Sequence, residues 1–177
     1  MELTLGKDHS IYIAAKSANI AVGQKNETST DVFFSTELGI SAAKAKKYFS
    51  SPGEYEVQGV MVDGLMSGEK VVSYHIIVDG VRYAAVSLHG VADLTDAIAE
   101  KLQPADVLLL WLKEGKAEDI VSLFARLEAN YLIPVQIPMP TEELEKDLQL
   151  KAEIVPKLKL TTKDLAEEKR ALIVLTQ

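Results

Sequence analysis

Cysteine is absent from the sequence, and that absence removes disulfide frameworks, thiolate zinc sites and cysteine nucleophiles together. Only histidine and oxygen donors are left to bind a metal, and histidine is scarce: His9, His75 and His89 are the whole supply. No apolar run approaches the roughly 20 residues needed to span a bilayer. Glu2, Lys7, Asp8 and His9 interrupt Met1 to Ile13, so no secretory signal is expected there. Excess positive charge is also lacking. The formal net charge of −7 opposes general attraction to nucleic acid backbones and leaves Lys44, Lys46 and Lys47 as the one tight basic cluster. P-loop, G-x-S-x-G and G-x-G-x-x-G patterns are missing, so nucleotide and serine-hydrolase chemistry have no local support.

What is present is the mix of an ordinary globular protein: 47% hydrophobic and 25% charged residues in a chain of 177, long enough for one domain with a sizeable core. A single domain over residues 1–177, soluble and cytoplasmic, is the expectation.

The first third reads as short strands, Glu2 to Leu5, Ser10 to Ala15, Asn19 to Val22 and Thr30 to Phe34. Ser41 is expected to cap a short helix running to Tyr48, because alanine and lysine favour helix there; its lysines then form a solvated face. Ser51-Pro52-Gly53 forces a turn. Val71 to Val78 and Val81 to Leu88 flank Asp79-Gly80, the dipeptide suited to a type I′ hairpin turn. From Leu94 the apolar spacing becomes helical through Leu102, with Asp93 as the expected N-cap. Val107-Leu108-Leu109-Leu110-Trp111-Leu112 is a continuous apolar run, as expected of a strand covered on both faces. A second helix is predicted over Ala117 to Ala129, a strand over Tyr131 to Val135, a third helix from Thr141 to about Leu148, and a closing strand at Ala171 to Leu175. Ile137-Pro138-Met139-Pro140 is short enough for an ordinary strand-to-helix loop. Strands first and β-α alternation later indicate an α/β sandwich of two packed sheets with helices outside.

The segment Ser51-Pro52-Gly53-Glu54-Tyr55-Glu56-Val57-Gln58-Gly59-Val60 resembles the P-G-E-Y-E-V-x-G-V stretch of metallo-β-lactamase-fold proteins similar to L-ascorbate-6-phosphate lactonase. The Asp79-Gly80 hairpin, the Leu94-Thr95-Asp96 helix start, Asp106-Val107-Leu108-Leu109, Ile133-Pro134 and the tail around Lys157 to Leu165 follow in the order seen in that branch. The resemblance implies a four-layered αββα sandwich whose sheet ends hold one or two zinc or manganese ions for hydrolysis. Such chemistry needs several imidazoles and carboxylates converging on the metal, with one position open.

On this resemblance the ligand positions of the H-x-H-x-D-H signature fall on Glu37, Gly39, Ser41 and Ala42, and no histidine or aspartate occurs between Val32 and Gly59 to rescue another register. Gly64 to Lys70, where the next histidine belongs, contains none. The bridging aspartate corresponds to His89 and the last histidine to Gln136. His9 lies near the family's G-H-S turn and is expected to be a turn residue. His75 falls within a strand, as a structural or surface residue. Glu54 and Glu56 share one face of a strand, with Tyr55 and Val57 on the other, which favours structure over an acid/base pair. The sequence thus points to a non-catalytic form of the fold, with no catalytic residue, metal or cofactor expected, acting on a protein partner or on a second copy. Two alternatives stand beside it: a divergent metal-dependent hydrolase rebuilt around His89, Glu37, Ser41 and Gln136, and nucleic-acid binding through Lys44, Lys46 and Lys47.

Overall fold

The computed structural model describes residues 1–40, 44–165 and 169–177. Its strands form two sheets. The six-stranded sheet has the order β13-β1-β2-β3-β4-β5, built from β1 (Glu2–Leu5), β2 (Ile11–Ala14), β3 (Asn19–Gly23), β4 (Thr30–Ser35), β5 (Ala45–Phe49) and β13 (Leu158–Lys159). The eight-stranded sheet has the order β12-β14-β11-β10-β9-β8-β7-β6, from β6 (Gly53–Val57), β7 (Val60–Met66), β8 (Val72–Val78), β9 (Val81–Leu88), β10 (Val107–Leu112), β11 (Tyr131–Gln136), β12 (Ala152–Val155) and β14 (Ala171–Leu175).

Alternation along each strand explains how the sheets pack. Ile11, Ile13, Ile20, Val22, Val32 and Phe34 from the first sheet meet Val62, Tyr74, Ile76, Tyr83, Leu109 and Ile133 from the second in one buried cluster. Intervening residues of the second sheet, Ala84, Val86, Leu108, Leu110 and Leu132, face the opposite way and pack under the helices. Those helices are α1 (Asp96–Leu102), α2 (Ala117–Arg126) and α3 (Thr141–Leu148), whose apolar residues Ala99, Leu102, Ile120, Leu123, Phe124 and Leu144 join that second cluster. β10 is buried at every position, as its unbroken apolar run requires when both faces are covered. Among the described residues no helix is long and apolar enough to cross a membrane.

The six-stranded sheet pairs β3 with β4 and β4 with β5 in parallel, yet residues 24–29 and 36–44 are all that connect them. A six-residue link reaches at most about 20 Å when extended, enough to return along a short strand and too little for a helical crossover. The first link is held by side chains: Asp8 accepts hydrogen bonds from the Tyr12 hydroxyl (2.7 Å) and the Glu27 N–H (3.0 Å), while buried Asn26 donates to Thr30 Oγ1 at 2.9 Å.

The predicted hairpin is present: Asp79 and Gly80 adopt φ of 47° and 80°, both positive as a type I′ turn demands. Residues 137–140 do connect β11 to α3. Other expectations change. The helix expected over Ser41 to Tyr48 is replaced from Ala45 on by the edge strand β5; pairing with β4 outweighs the helix preference of alanine and lysine. Ser41, its expected cap, lies outside the described residues. The cap of α1 is Thr95, whose hydroxyl accepts from the Ile98 N–H; Asp93 instead ends a 3-10 turn at Val91–Asp93 and accepts from the Gly90 N–H at 3.1 Å. Pro140 is the N-cap of α3, with Thr141 as the first helical residue, and α2 stops at Arg126. Strands β7, β12 and β13 were not separately predicted; β12 and β13 are short and mixed in polarity.

Candidate functional site

The chain segments that should supply ligands leave the strand ends together. β4 delivers Thr36 and Glu37, the β7–β8 turn follows Met66, β9 delivers His89, and β11 ends on Gln136. Backbone hydrogen bonds join the first two segments: Val72 N–H donates to Thr36 O (3.0 Å), Leu38 N–H to Lys70 O (3.0 Å), and Glu37 forms a β-bridge with Val71. Thr36 N–H reaches back to Gly23 O at 2.9 Å. The segment after β4 is therefore tied to β3 on one side and to the opposite sheet on the other.

Next to this seam, three buried serines satisfy one another. Ser87 N–H donates to Ser73 Oγ (3.1 Å), Ser73 and Ser67 share a hydroxyl contact of 2.7 Å, and Ser67 Oγ–H donates to Ser87 O at 2.9 Å. One consistent proton arrangement makes this a ring that starts and ends on the Ser87 backbone. Its cause is local: the β8–β9 pairing runs only as far as Tyr74 opposite Ala85, so the peptide groups beyond it need side-chain partners. Thr36 Oγ1 is buried without a hydrogen-bond partner. Tyr74 anchors the same region by donating to Ser35 O at 2.7 Å, and burial pushes its phenol well above the usual range.

The remaining candidates are dispersed. His89 lies at the end of β9 with Nε2 3.2 Å from Glu114 Oε1, and both side chains are mostly exposed at 62% and 73%. Gln136 is exposed at the end of β11, in register with Trp111. Trp111 points its Nε1–H to His9 O at 3.0 Å, so His9 participates through its carbonyl, at the tip of the β1–β2 turn with φ of 57°. His75 is buried in β8, and its Nε2 is 3.1 Å from Pro104 O; a carbonyl only accepts, so Nε2 carries the proton. Glu54 and Glu56 are exposed on β6, while Tyr55 turns inward against Phe49 with ring centroids 4.4 Å apart. Ser41 and Ala42 lie outside the described residues.

Among the described residues no three His, Asp or Glu side chains come close enough to hold a metal ion. The hydroxyls buried at the seam are poor ligands when neutral; those of Ser67 and Ser73 already have partners, and that of Thr36 does not. The described residues do not bring together the donors that the zinc or manganese centre implied by the resemblance needs. Sequence reasoning missed the serine ring, although Ser73 and Ser87 sit among the mostly apolar residues of β8 and β9 and could have flagged it.

No family model matches the sequence, and no curated protein matches it. Solved structures do. A candidate Zn-dependent hydrolase of the metallo-β-lactamase superfamily from Thermotoga maritima superimposes with a TM-score of 0.82 at 18% identity, covering 99% of this chain and 98% of its own. Igni18, a metallo hydrolase from the archaeon Ignicoccus hospitalis, gives 0.60 at 11% identity over 99% and 94%. YhfI, a metallo-β-lactamase fold protein from Bacillus subtilis, gives 0.59 at 6% over 99% and 96%. The fold of this chain is the metallo-β-lactamase fold.

Proposed function

We propose that this chain is a non-catalytic member of the metallo-β-lactamase superfamily, in the branch similar to L-ascorbate-6-phosphate lactonase, and that it works by binding a protein partner or a second copy of itself. The observation that carries this reading is the seam: two segments where the family places ligands are hydrogen-bonded to each other through Thr36, Leu38, Lys70 and Val72, beside hydroxyls already engaged in the Ser67, Ser73 and Ser87 ring. A hydrolytic metal needs several charged or imidazole donors converging on one point, and among the described residues no three of them come together. The branch assignment is supported by residues 51–60, which form the turn and strand β6 with the expected facing of Glu54, Tyr55 and Glu56.

The test is elemental analysis of protein purified without chelator, before and after incubation with zinc or manganese. Well under one equivalent of tightly held metal is expected. A stoichiometric ion that disappears in the His89→Ala variant would overturn the proposal in favour of a rebuilt hydrolase site around His89, Glu37, Ser41 and Gln136. Nucleic-acid binding draws little support, because the formal net charge is −7 and the lysines of β5 adjoin the exposed glutamates of β6, which repel a phosphate backbone.

A further inference from the structure

Strands β5 and β6 are the terminal strands of their respective sheets, and only residues 50–52 separate them. The Phe49 and Tyr55 rings, one from each strand, are in contact, so both strands line the same side of the sandwich. That side presents two backbone edges, one from each sheet. An edge of this kind is a template for another strand, and charge along it turns away strands of like or no charge while favouring one of opposite sign.

The charges on the two edges are opposite and segregated. Lys44, Lys46 and Lys47 are exposed at and along β5, where no acidic residue occurs; Glu54 and Glu56 are exposed along β6, where no basic residue occurs. Spacing matches as well. Lys46 reaches Asp31 on the outward face of its sheet, Lys44 precedes it by two residues, and Glu54 and Glu56 are likewise two apart on the outward face of theirs, opposite inward Tyr55. Half-exposed Tyr48, at 49%, adds apolar area beside the lysines, and Met61 of β7, at 52%, adds it beside the glutamates.

A two-fold axis along the strands exchanges the two sheets, so that β5 of one copy meets β6 of the other twice. The two-fold that leaves each sheet facing its own kind sets lysines against lysines and glutamates against glutamates, which like-charge repulsion disfavours. We propose that the β5 and β6 edges form a self-association surface on which two copies join, Lys44 and Lys46 of each facing Glu54 and Glu56 of the other. This deepens the binding reading above by naming its surface and its partner, a second copy.

The test is sedimentation equilibrium over a concentration series. Wild type should show a reversible dimer. Lys44→Glu with Lys46→Glu in one variant, and Glu54→Lys with Glu56→Lys in another, should each weaken it by roughly tenfold or more. Mixing the two variants, or combining all four substitutions in one chain, should restore it. Amide hydrogen exchange on wild type provides a readout free of folding effects in variants: concentrated protein should gain protection over dilute protein at residues 45–49 and 53–57. Wild type that stays monomeric throughout, a dimer indifferent to either charge reversal, or protection gained elsewhere would overturn the proposal. Metal content is independent of all these measurements, so failure here is distinguishable from failure of the non-catalytic reading.

Discussion

Asp106 opens the apolar strand β10 and is nearly buried. Its carboxylate accepts from the Arg82 backbone N–H at 2.8 Å and from Arg82 Nε at 3.0 Å, with Nη2 on the second oxygen. Its own N–H donates to Arg82 O at 2.8 Å. The same pairing raises the pKa of the Arg82 guanidinium. Truncation strands a main-chain donor and ends a two-pronged ion pair, and Asp106→Ala is expected to lower stability by about 2–4 kcal/mol, read from urea unfolding. The D-V-L-L resemblance therefore marks a clamp between β9 and β10. Asp79 shows how far such local signals reach. Its place in the Asp-Gly turn was legible from sequence because only that turn chemistry suits two residues. Its acceptance of the Lys16 N–H at 2.5 Å and of the Ser17 hydroxyl was not, since nothing in the local pattern reveals a partner 62 or 63 positions away.

Among the elements, legibility followed burial. β10 and β14 were plain because continuous apolar stretches have few alternatives, and β10 yields a sharp expectation. Leu109 packs between the sheets and Leu110 beneath the helices, each fully buried. Leu109→Ala and Leu110→Ala should each cost about 2–5 kcal/mol in chemical denaturation; a marked loss from one alone would mean that one face is poorly covered. β5 misled because its sequence, Ala-Lys-Lys-Tyr-Phe, carries little apolar alternation, and what makes it a strand is the neighbouring β4. At the site, the residue types at the strand ends can be counted along the chain, whereas the serine ring beside the seam depends on a register between β8 and β9 that local pattern does not specify.

At the scale of the whole molecule, the sandwich buries two tyrosines whose ionisation couples to folding. Burial raises the phenol pKa of Tyr74 and of Tyr83 well above the usual range. For a raised pKa the native state retains protons that the unfolded state releases, so stability is full below about pH 10 and falls as pH rises past it, by about 1.4 kcal/mol per pH unit for each tyrosine. Unfolding midpoints measured across that range should decline steeply, and Tyr74→Phe should make the decline shallower.

The first sheet has one further property with consequences for the living cell. β1 is flanked by β2 and by β13, with Glu2 opposite Lys159 and Leu3 opposite Leu158, and the pairing is extended where Leu160 N–H donates to Met1 O at 3.0 Å. A ribosome therefore makes the opening strand long before its second neighbour. Until the polypeptide has emerged past Leu160, that margin of the nascent sheet has no native partner, and the period of synthesis is when the chain is most open to capture by a chaperone or by another growing copy.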